Sequence, residues 1–311
     1  MYFYPLPYYP DMIQGLYSFA VEEVHNVASH LFKPHPAHPF QKLLLTDSQR
    51  FHFGFPVQMT NQVMVNPDKY QKQALFYTRN DILRKCTRCN TDFFVEPDGF
   101  QPMRPHTVCQ DFDGNSYNFH IHTRLPAEHL RQFKRAPMVD MANRDRSGKM
   151  FCLDVESVYT SHGQAVGRVT VVDHDGETII DDIVLPKDVI YDYVTKYSGL
   201  TPYHMEFAME SLESIREKIL SLLNEESILI GHSLNGDLKA LGILHGNVID
   251  TSILFMKNGK RPSLRNLTSQ YLGRQIQNST GGHCSREDVI ATLQLVHFAA
   301  ANPDLLPSDF Q

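Results

Sequence analysis

The sequence predicts an α/β protein: a mixed five-stranded sheet flanked by helices, preceded by a smaller, loop-rich N-terminal region. Three observations predict it. From residue 150, three apolar segments of strand length follow one another with turn signals between them. Beyond them, helix-period and strand-period segments alternate. Ahead of them, the apolar runs are short and broken by Pro, His and Cys. Meandering strands followed by alternating helix and strand put helices on both faces of one sheet.

The elements follow in chain order. "QGLYSFAVEEVHNVASHLF" has helical spacing, and "KPHPAHPF" ends it. The start, "MYFYPLPYYPDM", lacks the basic lead and apolar stretch of a signal peptide. Its Tyr2, Phe3, Tyr4, Tyr8 and Tyr9 are rings that can stack on bases, with an incidental tail as the plainer reading. Residues 1–82 make up this partly helical region, and residues 83–149 hold a Cys/His segment and a basic connector. "FCLDVES", "AVGRVTVVD" and "ETIIDDIVL" are three strands, turned at "SHG" and "DHDG". "MEFAMESLESIREKILSLL" is an amphipathic helix, "SILIGH" a strand, "NGDLKALGIL" a helix and "GNVID" a short strand. "SLRNLTSQYL" and "SREDVIATLQLVHFAAA" are the last helices of a domain over residues 150–300, and 301–311 is a tail.

Composition narrows the function. No apolar run is long enough to span a membrane, so no membrane partner is expected. Five cysteines, an odd number with one CxxC pair, suit a reducing compartment and a metal site better than a disulfide framework. Residues 79–149 carry 12 Lys+Arg against 9 Asp+Glu, while residues from 150 onward carry 12 against 21. An acidic half holds a polyanion only where divalent cations neutralise it.

The stretch "FCLDVESVY" sharpens that point. Side chains alternate along a strand, so Asp154 and Glu156 share a face. Two like charges on a central strand repel unless something positive lies between them. "ILIGHSLNGDLKAL" adds Asp237 early in a helix. "GGHCSREDVIA" adds His283 in a Gly-Gly loop able to swing, and Asp288 on the first turn of the last helix. Ser285-x-x-Asp288 reads as the capping box of that helix. Taken singly, these are a solvent-facing pair, a helix-start acid, a loop histidine and a cap. Taken in order, they suit in-line phosphoryl displacement between two cations about 3.5–4 Å apart. Mg²⁺ takes oxygen ligands, so several carboxylates must converge. Asp154, Glu156, Asp237 and Asp288 are the candidate ligands. His283 is the candidate general base, since an imidazole titrates near working pH.

The order D-x-E, helical Asp after a "GH" strand, then H-x4-D resembles the histidine subclass of DEDD 3′→5′ exonucleases. The phrases "ESVYTSHGQAVGRVTVVD", "YSGLTPYHM", "ILIGHSLNGDLKAL", "VIDTSILF", "LRNLTSQYLG" and "GGHCSREDVIA" are similar to the RNA exonuclease 1-like family and its GOR-like members. The resemblance covers essentially all of residues 150–300. It implies a ribonuclease H-like sheet, two Mg²⁺ or Mn²⁺, and hydrolysis of single-stranded RNA from its 3′ end to nucleoside 5′-monophosphates. It also implies a nuclear location, with a cytoplasmic one as the alternative. Ser157 stands where the family has a bulky apolar residue, and Cys284 where it has an acid; neither change removes a ligand. Asp250, in "VIDT", reads as structural. A DNA 3′→5′ exonuclease on the same scaffold, or an inactive RNA-binding protein, are the alternatives.

The cysteine segment carries a second metal expectation. Cys86 and Cys89 are spaced as half of a structural Zn²⁺ site, and His106 and Cys109 supply another pair, with His120 and His122 as competitors for His106.

Overall fold

A computed structural model describes residues 40–59, 62–66, 83–86, 89–95, 109–110, 116–117, 132–160, 163–278 and 282–307. The expected helix before residue 34 and the N-terminal aromatics lie outside the described residues, as do His106, His120 and His122.

The sheet is built from β1 (Met150–Thr160), β2 (Gly163–Asp173), β3 (Thr178–Ile183), β4 (Ile190–Asp192), β5 (Ile228–Gly231) and β6 (Val248–Asp250). Its order is β3-β2-β1-β5-β6, with β4 paired to the far end of β1. β2 runs antiparallel to β1 and β3, while β5 and β6 run parallel to β1. This is the ribonuclease H-like sheet expected from the sequence, extended by the short β4. The buried run Ile228–Ile230 suits a parallel strand covered on both faces. The β2–β3 turn is fixed by Asp173, whose Oδ1 accepts from the backbone of Asp175 and Glu177, both at 3.0 Å.

Four longer helices flank the sheet: α1 (Leu212–Leu222), α2 (Leu234–Leu241), α3 (Leu264–Leu272) and α4 (Ser285–Ala301). The helix expected to run from Met205 to Leu223 is interrupted. A short helix Pro202–Glu206 ends first, and Ser211 then starts α1 by exchanging hydrogen bonds with Ser214. Both serines prefer this local pairing to a continuous helix. The chain between them bridges Val184 through Glu210 at the end of β3. α1 buries Ile215 and Ile219 on one face, each contributing about 1.5–3 kcal/mol by removal from water. α4 crosses β1, β2 and β5 and packs on α3.

Part of the chain before residue 150 belongs to the same core. Leu43, Leu45 and Phe55 are buried in it, and the Leu45 amide donates to the Val248 carbonyl at the edge of β6. Thr46 caps the helix Asp47–His52 with Gln49 in a reciprocal box. Lys134 and Arg135 pair in parallel with Ile243 and Leu244.

Candidate active site

β1 carries Asp154 and Glu156 on one face, as alternation requires. Their partners on β2 are Thr170 and Arg168. Arg168 donates to both oxygens of Asp181 on β3, at 2.7 and 2.8 Å, and the Thr170 hydroxyl joins at 3.0 Å. Its positive charge therefore lies beside Glu156 while two of its hydrogen bonds are committed to Asp181. The sequence reading passed over Arg168. The signal was its place opposite Glu156 in an antiparallel pair, which needs the register to be seen.

α4 brings the C-terminal residues to this face. Asp288 lies in its first turn, where the unpaired amides of a helix start favour negative charge. Ser285 does not cap the helix. Cys284 occupies the cap position, and the Ser285 hydroxyl donates instead to Asp154 Oδ2 at 2.6 Å. A hydrogen bond to a buried carboxylate is stronger than one to a backbone amide, so the tertiary partner wins. Gln277 donates to Asp288 Oδ2 at 2.9 Å. Asp288 Oδ1 is buried and has no hydrogen-bond partner. His283 Nδ1 lies 3.7 Å from Asp288 Oδ2. Ligand atoms of Glu156, His283 and Asp288 all lie within 4.8 Å of one another.

Asp237 sits in the first turn of α2. That helix starts from Ser233 in a left-handed conformation, φ 62°, which a serine adopts only when held. Asp250 holds it. Its Oδ1 accepts from the Ser233 amide and its Oδ2 from the Leu234 amide, both at 3.0 Å, and Oδ1 also takes the Ser252 amide and hydroxyl. Asp250 is fully buried at the end of β6, and it ties the start of α2 to the sheet. Asp237 lies outside the tight three-residue set and meets the other acids through charge.

The carboxyls disturb one another. Burial, then the neighbouring Asp154 and Asp288 charges, push Glu156 up to about 9. Burial is also the main cause that lifts Asp154 and Asp288, each to about 6. Asp237 is pushed well above the carboxylate range by burial and then by Asp154. Burial lowers His283 against the pull of Asp154 and Glu287, which favours neutral imidazole. Among the described residues, none of the four acids has a lysine or arginine within ion-pair distance. Four converging carboxylates, one with an unpartnered buried oxygen, fit divalent cations through hard oxygen donors.

The cysteines form a second cluster. Ligand atoms of Cys86, Cys89 and Cys109 lie within 4.8 Å of one another, and the Cys86 and Cys109 sulfurs are 3.5 Å apart. Among the described residues, none of the three is in a disulfide. They pack with Phe93 and Val95 in a small core that touches Tyr159 near the end of β1.

No family model matches the chain. Curated relatives do. Exonuclease GOR of Pan troglodytes is 43% identical over 292 residues, which is 82% of this chain and 41% of that protein. RNA exonuclease 1 homolog of Homo sapiens is 41% identical over 287 residues, 82% of this chain and 23% of that protein. Over about four fifths of its length the chain is similar to the RNA exonuclease 1- and GOR-like proteins. It spans less than half the length of these relatives. The putative RNA exonuclease pqe-1 of Caenorhabditis elegans is 31% identical over 84% of this chain and 18% of its own length. A solved structure of the Neurospora crassa Pan2 catalytic unit superposes with a TM-score of 0.48 at 27% identity, over 55% of this chain and 30% of that one. Among the described residues, no helix is long and apolar enough to cross a membrane.

Proposed function

We propose that the chain is a metal-dependent 3′→5′ exoribonuclease that releases nucleoside 5′-monophosphates. The observation that carries this reading is the convergence of Glu156, His283 and Asp288, with Asp154 tied in through Ser285. Similarity to relatives named RNA exonucleases supports RNA as the substrate.

Asp154, Glu156, Asp237 and Asp288 would hold two Mg²⁺ or Mn²⁺. When bound, such ions supply charge neutralisation and phosphoryl polarisation. The chain's own residues do the rest. Asp154 and Glu156, on one strand face, fix the distance between the acids. Ser285 orients Asp154, and Gln277 orients Asp288, leaving Oδ1 of Asp288 free as a ligand. His283, held neutral by burial, accepts the proton of the attacking water at an unprotonated ring nitrogen. Arg168 limits the repulsion at Glu156 without neutralising it.

We assign a structural Zn²⁺ to Cys86, Cys89 and Cys109, with His106, which lies outside the described residues, as the expected fourth ligand. Three clustered cysteine sulfurs are a soft donor set suited to zinc. Resemblance to the family supports a nuclear site of action, tested by where the tagged full chain accumulates.

The test is 5′-labelled single-stranded RNA and matched DNA, incubated with Mg²⁺ or Mn²⁺ beside an Asp154→Ala control. A ladder shortening from the 3′ end of RNA, lost in the control and in chelator, is expected. RNA bound but uncut by folded protein would replace the enzyme with a binding protein. DNA shortened in preference to RNA would change the substrate.

A further inference from the structure

His283 sits in a glycine-bearing loop that the sequence suggests is free to swing. The structure ties it down. Its amide donates to the Tyr197 carbonyl at 2.8 Å. Its imidazole meets the Tyr197 ring edge to face, with centroids 6.1 Å apart and planes at 87°. The preceding Gly282, at φ 102°, lies backbone to backbone against Gly199. A Cβ at Gly282 would come within 2.3 Å of the Gly199 nitrogen and 2.4 Å of the Thr195 carbonyl oxygen. These three contacts all come from one short segment, the single helical turn Thr195–Ser198 and Gly199 after it.

That segment is itself braced. Val194 enters it at φ 51°, a strained conformation for a β-branched residue. The Val194 amide is held by Asp192 Oδ1 at 2.8 Å. The Ser198 hydroxyl donates to the Tyr193 carbonyl at 2.6 Å, and the Thr195 hydroxyl to the Leu200 carbonyl at 2.5 Å. Leu200, buried, packs on Val158, two residues beyond Glu156 on the same strand. The support therefore runs from β1 through Leu200 and Tyr197 to His283. Strain held by several redundant bonds at a loop that meets a reactive group marks a rigid mount, not a hinge.

We propose that Tyr193–Leu200 is a seat for His283 and that Tyr197 is its positioning residue. This rests on the assignment of His283 as the general base. The Tyr197 carbonyl sets the loop's height above the carboxylates, and the ring limits rotation of the imidazole. Displacement of a reacting group by about 1 Å can cost about 10²-fold in rate, so the seat acts on the chemical step and not on RNA binding. Tyr197 is also partly exposed, with the Lys196 ammonium 5.5 Å from its ring centroid. A contact with an RNA base is the competing role, and the test separates the two.

The experiment uses the full chain in two readouts. In the first, the His283 imidazole resonance is assigned by its loss in His283→Ala. It should shift in Tyr197→Ala and stay near its native position in Tyr197→Phe, which keeps the ring. This needs no nuclease activity, so it stands or falls apart from the enzyme reading. In the second, Tyr197→Ala should lower kcat about 10–100-fold, the range for partners that orient a reacting group, with KM within about twofold. Tyr197→Phe should restore kcat. In a His283→Ala background, Tyr197→Ala should add no further loss. Gly282→Ala should lower kcat while Mn²⁺ binding, followed by its paramagnetic effect on solvent water, is kept. An unshifted His283 resonance in Tyr197→Ala would overturn the proposal. So would a raised KM at unchanged kcat, or an equal loss with and without His283; each would make Tyr197 a substrate contact.

Discussion

One strand, β1, serves two clusters of candidate metal ligands, and they are built in opposite ways. Asp154 and Glu156 sit at its middle, beneath α4 and beside β2, in the continuous main core. The cysteines sit near its end, where Tyr159 meets a core of four buried residues among those described. The first cluster is held apart from its own repulsion by a fold that stands without it. Among the described residues, the second buries only Cys86, Phe93, Val95 and Cys109, a core of the size that small metal-bound modules have. A cation in the first place would serve chemistry, and in the second it would serve folding.

The largest expected effect separates these roles. Asp154→Asn and Glu156→Gln should each remove RNA shortening by at least the roughly 10²–10⁴-fold that a general base supplies. In chelator, the same variants should melt higher than the native chain, because each removes a buried carboxyl that on folding must either keep an unfavourable charge or take up a proton. Activity kinetics and thermal melts on one preparation read both. A variant that is inactive and also less stable in chelator would mean that the acids hold the fold together. His283→Ala should fall within the 10²–10⁴-fold range in kcat, with the melting temperature little changed, since its side chain is partly exposed and packs chiefly on the Tyr197 ring.

The next effect concerns the far cluster. With zinc removed by a strong chelator, Cys86, Cys89 and Cys109 should become open to alkylation. Before removal, only the exposed Cys284 should react quickly, because Cys152 is buried in the core. Mass mapping of modified thiols checks this. Protection of all three that persists without zinc would leave the small core standing by itself. Asp250→Ala sharpens the comparison from the other side. It strands amides of Ser233, Leu234 and Ser252, each bond to a charged group being worth about 1.5–3 kcal/mol. A protein melting markedly lower, with Asp237 displaced and cation affinity reduced, is expected. An unchanged melt would remove Asp250 from the support of α2.

How much of this was legible depends on how local each signal is. Asp154 and Glu156 could be read because strand alternation is a property of the strand itself. Asp288 could be read because a helix start is written in neighbouring residues. The interruption before Ser211 could not, since its apolar spacing continues through the break and only the Ser211–Ser214 exchange ends it. Ser285 was misread for the same reason. Its sequence fits a cap, but a carboxylate 131 positions away claims its hydroxyl. Arg168 and Tyr197 carry no local mark at all. They matter through register and loop packing, which sequence spacing does not express. Cys86, Cys89 and Cys109 were expected together and do converge.

The smallest effect is also the most direct probe of charge at the first cluster. Glu156 titrates near 9 and Asp154 and Asp288 near 6, all raised by burial. A raised value means that the folded chain binds the proton more tightly than the unfolded chain. Their contribution to stability is therefore complete below the ordinary carboxylate range and is lost as pH rises through 6 and on towards 9. Groups that act the other way, such as the buried His245 lowered to about 4, lose their contribution only on the acid side. Between pH 6.5 and 8.5 the cation-free chain should thus melt progressively lower, by at most about 1.4 kcal/mol per pH unit for Glu156. Saturating Mg²⁺ should flatten the slope, because a bound cation replaces the proton. Glu156→Gln should reduce the slope without Mg²⁺, and adding Asp237→Asn, whose carboxyl is also raised well above the usual range, should remove the rest. A slope unchanged by both substitutions would put the titrating group outside the carboxylate cluster and remove repulsion at β1 as the reason this site wants a cation.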